Sequence, residues 1–324
     1  MSQFSPTSCP KTLVLVAFWA MLLLFSGSLT GCRVWHRTRV SSASTLASRQ
    51  YVQQAAESIE QKNISEAANQ LELAVKENPQ NLEARTMLAD TLWNQNRRDK
   101  AILQMEEVVT LPDVTPELVV KLAWMYFEQE NFSLAQKYVS LGLRHNAELA
   151  DAWFLQGRIY ELQGQTESAL AAFHQAAFYD TDNGKIQAEI AEQYLKLQKP
   201  QRALEAAQSV QSQNPAVSPS ADLLLYEGYA LAQLNRHPDA VRVLTRANQI
   251  APENTAILSA LATSHYQNGN ALAAYQVATR GLQLNPQDPE CSRITRELHA
   301  VASQQGRSQN QPPSQNQVYS QSLV

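Results

Sequence analysis

Residues 150–183 read ADAWFLQGRIYELQGQTESALAAFHQAAFYDTDN, and this stretch decides the fold of the chain. Its large and small residues stand in an order that recurs along the chain, as in proteins built from repeated units. A single unit of this length cannot bury its apolar face alone, so further copies must stack against it. The sequence therefore predicts that similar units precede and follow these residues.

The copies are visible as small residues that recur at a fixed period. One series of alanines keeps a spacing of 34 residues, except for a single step of 37: Ala67, Ala101, Ala135, Ala169, Ala203, Ala240 and Ala274. Two further series of small residues share the same interruption, which is the turn-forming insertion Ser218-Pro219-Ser220. Small residues let neighbouring helices pack closely, and an ordinary alanine-rich bundle has no reason to keep three positions in one register.

The stretch resembles a tetratricopeptide repeat, whose consensus has Trp, Leu-Gly, Tyr, Ala, Phe, Ala and Pro in this order. Two of these positions depart from it, with Gln156 in place of Leu and Thr181 in place of Pro. The matching residues are Trp153, Gly157, Tyr160, Gly164, Ala169, Phe173 and Ala176. The resemblance implies an all-α fold, a right-handed superhelical solenoid of helix hairpins with a C-terminal capping helix.

The same pattern divides most of the chain into seven repeats. They are predicted at 48–81, 82–115, 116–149, 150–183, 184–217, 221–254 and 255–288. Residues 289–302 are predicted to form the capping helix, because the exposed apolar face of the last repeat needs a cover. Residues 303–324 are rich in Gln, Ser, Asn and Pro, and we expect a disordered tail there.

The ends of the repeats carry helix-stop and helix-start signals. Proline disfavours helical geometry in the residue before it, and Pro79, Pro215, Pro252 and Pro286 follow predicted second helices. Asn81, Asn254 and Asp288 then lie where an N-cap is wanted, and Thr115-Pro116-Glu117 serves the third repeat. Pro112 stands one residue early, so that junction is predicted to be irregular.

The N-terminus resembles a bacterial lipoprotein signal. Residues 12–28 carry no charge, and Leu29-Thr30-Gly31-Cys32 has the order of a lipobox. The resemblance implies that residues 1–31 are a signal peptide, that Cys32 receives the lipid, and that 32–47 is a lipid-anchored linker. Arg33 rather than Asp follows the cysteine, which in this class favours the periplasmic face of the outer membrane.

An uncleaved transmembrane anchor is the alternative, because about 20 apolar residues can span a bilayer. In that case the protein would stay in the inner membrane with its repeats outside the cytoplasm. Both interpretations predict an exported chain that is held at a membrane.

The remaining composition argues against catalysis and nucleic-acid binding. The formal net charge is −4, and no basic stripe is present. The six histidines are scattered without metal-ligand spacing, and no phosphate-binding, nucleophile-elbow or metalloprotease motif occurs. We therefore predict no enzyme, no cofactor, no metal, and no small-molecule substrate.

In the family that the chain resembles, the first helix of each hairpin lines a concave groove. The residues predicted to point into it are Trp93, Trp124, Phe127, Phe154, Arg158, Glu192, Tyr229 and Tyr266. Six of them are aromatic, and aromatic anchors on a preformed surface suit recognition of a peptide or helix. Such rings also pack between repeats, so the alternative for each ring is a structural role.

The lysines of the family's C-terminal-carboxylate clamp are missing from the matching positions. These are Val52, Thr86, Val120, Phe154, Ala188, Leu225 and Ser259. The favoured function is a membrane-tethered interaction scaffold of the cell envelope, like the repeat lipoproteins that assist outer-membrane protein, pilus secretin or polysaccharide-export assembly. The alternative is an accessory or regulatory protein that docks cell-wall enzymes.

Overall fold

A computed structural model describes residues 41–213 and 218–309, with side chains through 212 in the first range and through 299 in the second. The all-α solenoid predicted from the sequence is confirmed: the described ranges contain fifteen helices and no strand. In chain order these helices are α1 (Ser42–Glu60), α2 (Ile64–Glu77), α3 (Leu82–Asn94), α4 (Arg98–Val108), α5 (Pro116–Glu128), α6 (Phe132–His145), α7 (Ala150–Leu162), α8 (Thr166–Tyr179), α9 (Gly184–Lys196), α10 (Pro200–Gln213), α11 (Ala221–Gln233), α12 (His237–Ile250), α13 (Thr255–Gln267), α14 (Ala271–Leu284) and α15 (Pro289–Gln309).

Each odd-numbered helix from α1 to α13 forms a hairpin with the helix that follows it. We call the odd-numbered members first helices and the even-numbered members second helices. Every hairpin turns through a residue with positive φ: Lys62, Asn96, Glu130, Gly164, Gln198, Asn235 and Gly269. These turns repeat the 34-residue period with its single step of 37, so the period of the sequence is also a period of the backbone.

The hairpin turns share one hydrogen-bonding pattern. In the fourth hairpin the Gln165 amide donates to the Tyr160 carbonyl at 2.9 Å, which is the long bond of a Schellman motif. Equivalent bonds of 2.8–2.9 Å close the other six turns. Such a motif needs a left-handed residue after the helix, and glycine adopts that conformation with the least strain.

Small residues sit where the two helices of a hairpin cross. A Cβ added to Gly157 would lie 2.5 Å from the Phe173 ring, and one added to Gly228 would lie 2.5 Å from Leu244. Ala169 and its six counterparts in the other hairpins are all fully buried. The small residues of the sequence pattern are therefore the places where a bulky side chain from the partner helix fills the core.

Several predicted helix starts and the irregular junction are confirmed. The side chains of Asn81 and Asn254 accept bonds from amides of the next helical turn, and Asp288 accepts from the Cys291 amide at 2.7 Å. Thr115 caps no amide with its side chain, although Pro116 does begin α5. Near Pro112 the second helix α4 ends early, at Val108, and a longer connection leads to α5.

Two helices extend beyond the boundaries that the sequence pattern suggests. The linker predicted for 32–47 is already helical from Ser42, because Ser41 caps the helix and accepts from the Ser44 amide at 3.1 Å. Directly after this segment, Ser48 is fully buried and donates to the Ala74 carbonyl at 2.8 Å. At the other end, α15 continues to Gln309, past residue 302, since a helix extends readily from a packed first segment.

The apolar core follows the solenoid in three connected sections. One runs from α1 to α7, a second from α7 to α13, and a small third section joins α13 and α14 to α15. In the third, Cys291 and Ile294 of α15 are fully buried against the last hairpin. None of the helices in the described ranges has the length and apolarity that crossing a membrane requires.

Candidate functional site on the inner face

The first helices line the inner face of the solenoid. Helix α1 packs against α3, α5 against α7, α9 against α11, and α11 against α13. No pair of consecutive second helices makes a comparable contact in the ranges that are described. Because the first helices approach one another more closely, the superhelix curves towards them. The side chains of the first helices that do not pack into the core therefore line its concave side. We call this concave surface the inner face.

Two neighbouring pairs of first helices, α3 with α5 and α7 with α9, lack such a close approach, and charged side chains span both gaps. Between α3 and α5, Lys121 Nζ lies 2.6 Å from Asp90 Oδ1. Between α7 and α9, Arg158 Nη1 lies 3.1 Å from Glu189 Oε1. Ion pairs therefore connect the first helices where their backbones stand apart.

Trp124 on α5 lies at the centre of the aromatic part of the inner face. Its half-buried ring stacks on Phe154 with 6.1 Å between centroids, and it meets the edge of Phe127 at 5.6 Å. Trp124 also packs against both of the larger core sections. The ring is thus held in place from one side while its other side remains accessible.

Two hollows adjoin this ring, and we call them the Trp124 hollows. The larger has a volume of about 240 Å³ and is lined by Glu117, Val120, Lys121, Trp124, Leu149 and Asp151. The smaller, of about 160 Å³, is lined by Trp124, Asp151, Phe154, Asn183, Lys185 and Ile186. Small-molecule sites typically measure about 300–1,000 Å³, so each hollow suits a side chain better than a whole ligand.

The other predicted aromatic residues of this region differ in accessibility. Trp93 is half-buried, with the Arg98 guanidinium 5.1 Å from its ring centroid. Phe127 lies between Trp124 and Phe132, at 5.6 Å from each. Phe154 is only 5% exposed and packs on Phe173 at 5.5 Å, so its ring lies mainly in the core between hairpins and only borders the smaller hollow.

Arg158 and Glu192 do not present free charges to the groove. Arg158 pairs with Glu161 as well as with Glu189, since its Nε lies 3.1 Å from Glu161 Oε2. Lys196 Nζ lies 2.7 Å from Glu161 and 2.9 Å from Glu192. We call these five residues the central ion-pair network. It joins α7 to α9, and Tyr226 extends it to α11 by donating to Glu192 at 2.6 Å.

Burial dominates the electrostatics of the central ion-pair network. It raises the pKa of Glu189 to about 7, and the nearby carboxylates of Glu161 and Glu192 add to this rise. Arg158 and Lys185 oppose it but are outweighed. Burial, with the hydrogen bond to Glu192, also raises the pKa of the Tyr226 phenol, which stays a donor at neutral pH.

Three carboxylates of this network could hold a cation, since oxygens of Glu161, Glu189 and Glu192 lie within 4.8 Å of one another. In the structure Arg158 and Lys196 already supply that positive charge. The arrangement is therefore a bridge between helices. The sequence prediction missed Glu161, Glu189 and Lys196, although their offsets from partners one repeat away were a usable signal.

The two tyrosines predicted further along are both partly engaged. Tyr229 is half-buried, 6.5 Å from the Tyr226 ring, and burial raises the pKa of its phenol. Tyr266 donates to Glu297 of α15 at 2.6 Å, and the Arg293 guanidinium lies 5.2 Å from its ring. The predicted groove residues therefore do not form one continuous aromatic strip, and Cys32 lies outside the described residues.

Family models match the chain over most of the helical region. One described as the tetratricopeptide repeat protein 21 C-terminal ARM domain matches residues 33–219, which is more than half of the chain. The chain belongs to the tetratricopeptide-repeat family. Two further models, each described as a tetratricopeptide repeat, match residues 189–255 and 231–298 of this repeat protein.

Solved structures show the same fold at low sequence identity. A tetratricopeptide repeat protein from Parabacteroides merdae is 11% identical with a TM-score of 0.58, over 78% of this chain and 99% of that one. The pilF protein of Pseudomonas aeruginosa is 13% identical with a TM-score of 0.56, over 66% of this chain and 96% of that one. The C-terminal part of a repeat protein from Cytophaga hutchinsonii is 14% identical with a TM-score of 0.56, over 75% of this chain and 98% of that one. No curated protein matches the chain.

Proposed function

We propose that this protein is a non-catalytic interaction scaffold of the bacterial cell envelope that captures a segment of a partner protein on its inner face. Tetratricopeptide repeats typically bind proteins or peptides, which supports a role as an interaction scaffold. The observation that carries the proposal is the pair of Trp124 hollows, where an aromatic ring with a fixed orientation borders accessible space.

Rigidity of the surroundings favours this position for capture. Trp124 is fixed by Phe154, which is itself packed on Phe173 in the core. A preorganised ring loses little conformational freedom when a partner binds, so more of the contact energy appears as affinity. Tryptophan is also among the residues that most often dominate binding energy at protein interfaces.

A capture experiment in intact cells tests the position of the site. We expect crosslinked partners of the native chain to be lost from Trp124→Ala and from Asp151→Phe, since the latter fills the edge that both Trp124 hollows share. Phe178→Ala is the matched control, because Phe178 lies on the second helix α8 and is 72% exposed. Circular dichroism and thermal melting check that each variant is folded.

Two outcomes distinguish the inner face from other surfaces. Loss of the same proteins from both inner-face variants, with full recovery in Phe178→Ala, supports the proposal. Equal recovery from native chain and Asp151→Phe would contradict it, even if Trp124→Ala failed to fold.

Envelope tethering is the second part of the proposal and is supported by the lipobox-like residues that end at Cys32. The lipid would hold the repeats at the periplasmic face of the outer membrane, and assembly or secretion of envelope components is the pathway that best fits such a scaffold. We expect Cys32→Ala to release the protein from membranes or to leave its precursor uncleaved. Attachment that is unchanged and resists carbonate would instead favour an uncleaved transmembrane anchor.

A further inference from the structure

We propose that the partner segment presents a basic side chain, preferably an arginine, to the larger of the Trp124 hollows. This inference rests on the proposed function and names the chemistry of the ligand. It is based on the charges that border the hollow and on the aromatic ring that forms part of its wall.

The larger hollow has two carboxylates whose charge is not compensated. Glu117 and Asp151 are both exposed, and neither forms an ion pair within the described ranges. A hydrogen bond from the Thr115 side chain lowers the pKa of Glu117, so this carboxylate is ionised at neutral pH. The one cation in the wall, Lys121, is already paired with Asp90 at 2.6 Å.

The aromatic wall of the hollow favours the same ligand. A guanidinium or ammonium group is attracted to the face of a tryptophan ring, and tryptophan is the best of the aromatic residues for this contact. Arginine also stacks flat on such rings and can bond a carboxylate with two parallel N–H groups. An arginine over Trp124 would thus satisfy the ring and a carboxylate at once, whereas an acidic side chain would be repelled.

The repeat period extends this acidic character along the inner face. Glu83, Glu117 and Asp151 occupy the same position of three consecutive first helices, at spacings of 34 residues, and the next residue in the series is Lys185. The sign of the charge therefore changes between α7 and α9. Basic side chains of the partner are therefore expected against α3, α5 and α7, and the acidic position recurs at Asp222 of α11, after the 37-residue step.

Acidic residues in the first turn also stabilise a helix through its dipole, and this role alone could account for their presence. Asp99 and Glu167 have this dipole-stabilising role on the second helices α4 and α8, away from the inner face. Those two residues are therefore matched controls, because they share the helical position and the charge but not the Trp124 ring.

Peptide selection measures the preference directly. Random 12-residue peptides are selected by display on the full-length chain in detergent, first native, then Glu117→Gln/Asp151→Asn, and then Asp99→Asn/Glu167→Gln. We expect peptides from the native chain to be enriched in arginine or lysine at one position. Their affinities, from fluorescence polarisation, should weaken about fivefold in Glu117→Gln/Asp151→Asn, as two exposed charge contacts predict, and stay unchanged in the control.

The failure of this inference is distinguishable from the failure of the proposed function. Peptides that lose binding in Asp151→Phe but show no preference for basic residues would overturn only the basic-ligand inference. The same holds for equal weakening in the control variant, which would point to the general charge of the surface. Peptides that bind Asp151→Phe as tightly as the native chain would contradict the inner-face site itself.

Discussion

Around Trp124 the inner face is open and has carboxylates without an ion pair in the described ranges, whereas further along α7 and α9 it is closed by the central ion-pair network. Trp124 and Arg158 occupy equivalent positions of consecutive repeats, and both were predicted from the sequence as groove residues. In the open region, side chains remain available to a partner. In the closed region, the solenoid uses them to hold its own helices together.

The difference shows that position in a repeat does not by itself define a binding residue. Arg158 lies in the inner-face series, yet its charge is satisfied by Glu189 and Glu161. Asp151, seven residues earlier on the same helix, forms no such ion pair within the described ranges and borders both hollows. A charged residue of the inner face therefore forms a bridge where the neighbouring repeat pairs with it, and it remains available to a partner where no such pair forms.

The largest expected effect comes from breaking the bridge. In Arg158→Leu, Glu189 and Glu161 lose a cation, and the side chain of Glu189 is only 13% exposed. Removing one partner of a largely buried pair leaves an uncompensated charge, so we expect about 2–3 kcal/mol less free energy of unfolding. Urea denaturation followed by circular dichroism measures this loss.

The open region provides the comparison for that variant. Glu117→Gln/Asp151→Asn removes two exposed charges that favour their helices through the dipole, so the free energy of unfolding should fall by only about 1 kcal/mol. If both variants lost the same stability, the proposed distinction between bridge and binding surface would be wrong.

A smaller effect concerns pH. Burial raises the pKa of Glu189 from its ordinary value of 4.5 to about 7, so the folded chain binds more protons than the unfolded chain between these values. Its contribution to the free energy of unfolding therefore falls as pH rises from about 4.5 to 7, by about 1–3 kcal/mol. Above that range the contribution is constant.

Glu189→Gln should remove this pH-dependent fall, because the amide does not titrate. Denaturation of both chains at several pH values between 5 and 8 gives the comparison. Identical slopes for the native chain and the variant would show that Glu189 is not the group responsible.

The smallest effect is expected at the boundary between the two regions. Lys185 interrupts the acidic series and lies 4.9 Å from the Phe154 ring, next to the smaller Trp124 hollow. Lys185→Glu would extend the acidic series by one repeat, so basic peptides selected on the native chain should bind about two- to threefold tighter, as one added exposed charge contact predicts. Weaker binding by the variant would contradict the assigned ligand charge.

The sequence predicted the solenoid well because its fold depends on local, repeated packing. Small residues such as Gly157 must face a bulky partner such as Phe173, and this need recurs at a constant spacing. The start of α1 was missed because its first residues are mostly small or hydroxyl-bearing, although Ser41 caps the helix and Ser48 forms a buried bond. Polar residues that make specific buried contacts leave no hydrophobic pattern.

The candidate site was predicted less completely, for a similar reason. The register identifies which residues lie on first helices, and these include Trp124, which borders both hollows. It does not show how deeply a ring is buried, so Phe154 was included although its neighbour Phe173 covers it. Burial and ion pairing both depend on contacts between repeats, which no single repeat reveals.

The most direct test of the account places a photocrosslinking amino acid at single positions in living cells. Positions 117 and 151 border the larger hollow, position 158 lies in the central ion-pair network, and position 178 lies on the second helix α8. We predict that the same partner is crosslinked from 117 and 151 but not from 158 or 178. Adducts that form mainly from 158 or 178 would contradict capture at Trp124 and move the interaction to the network or the outer surface.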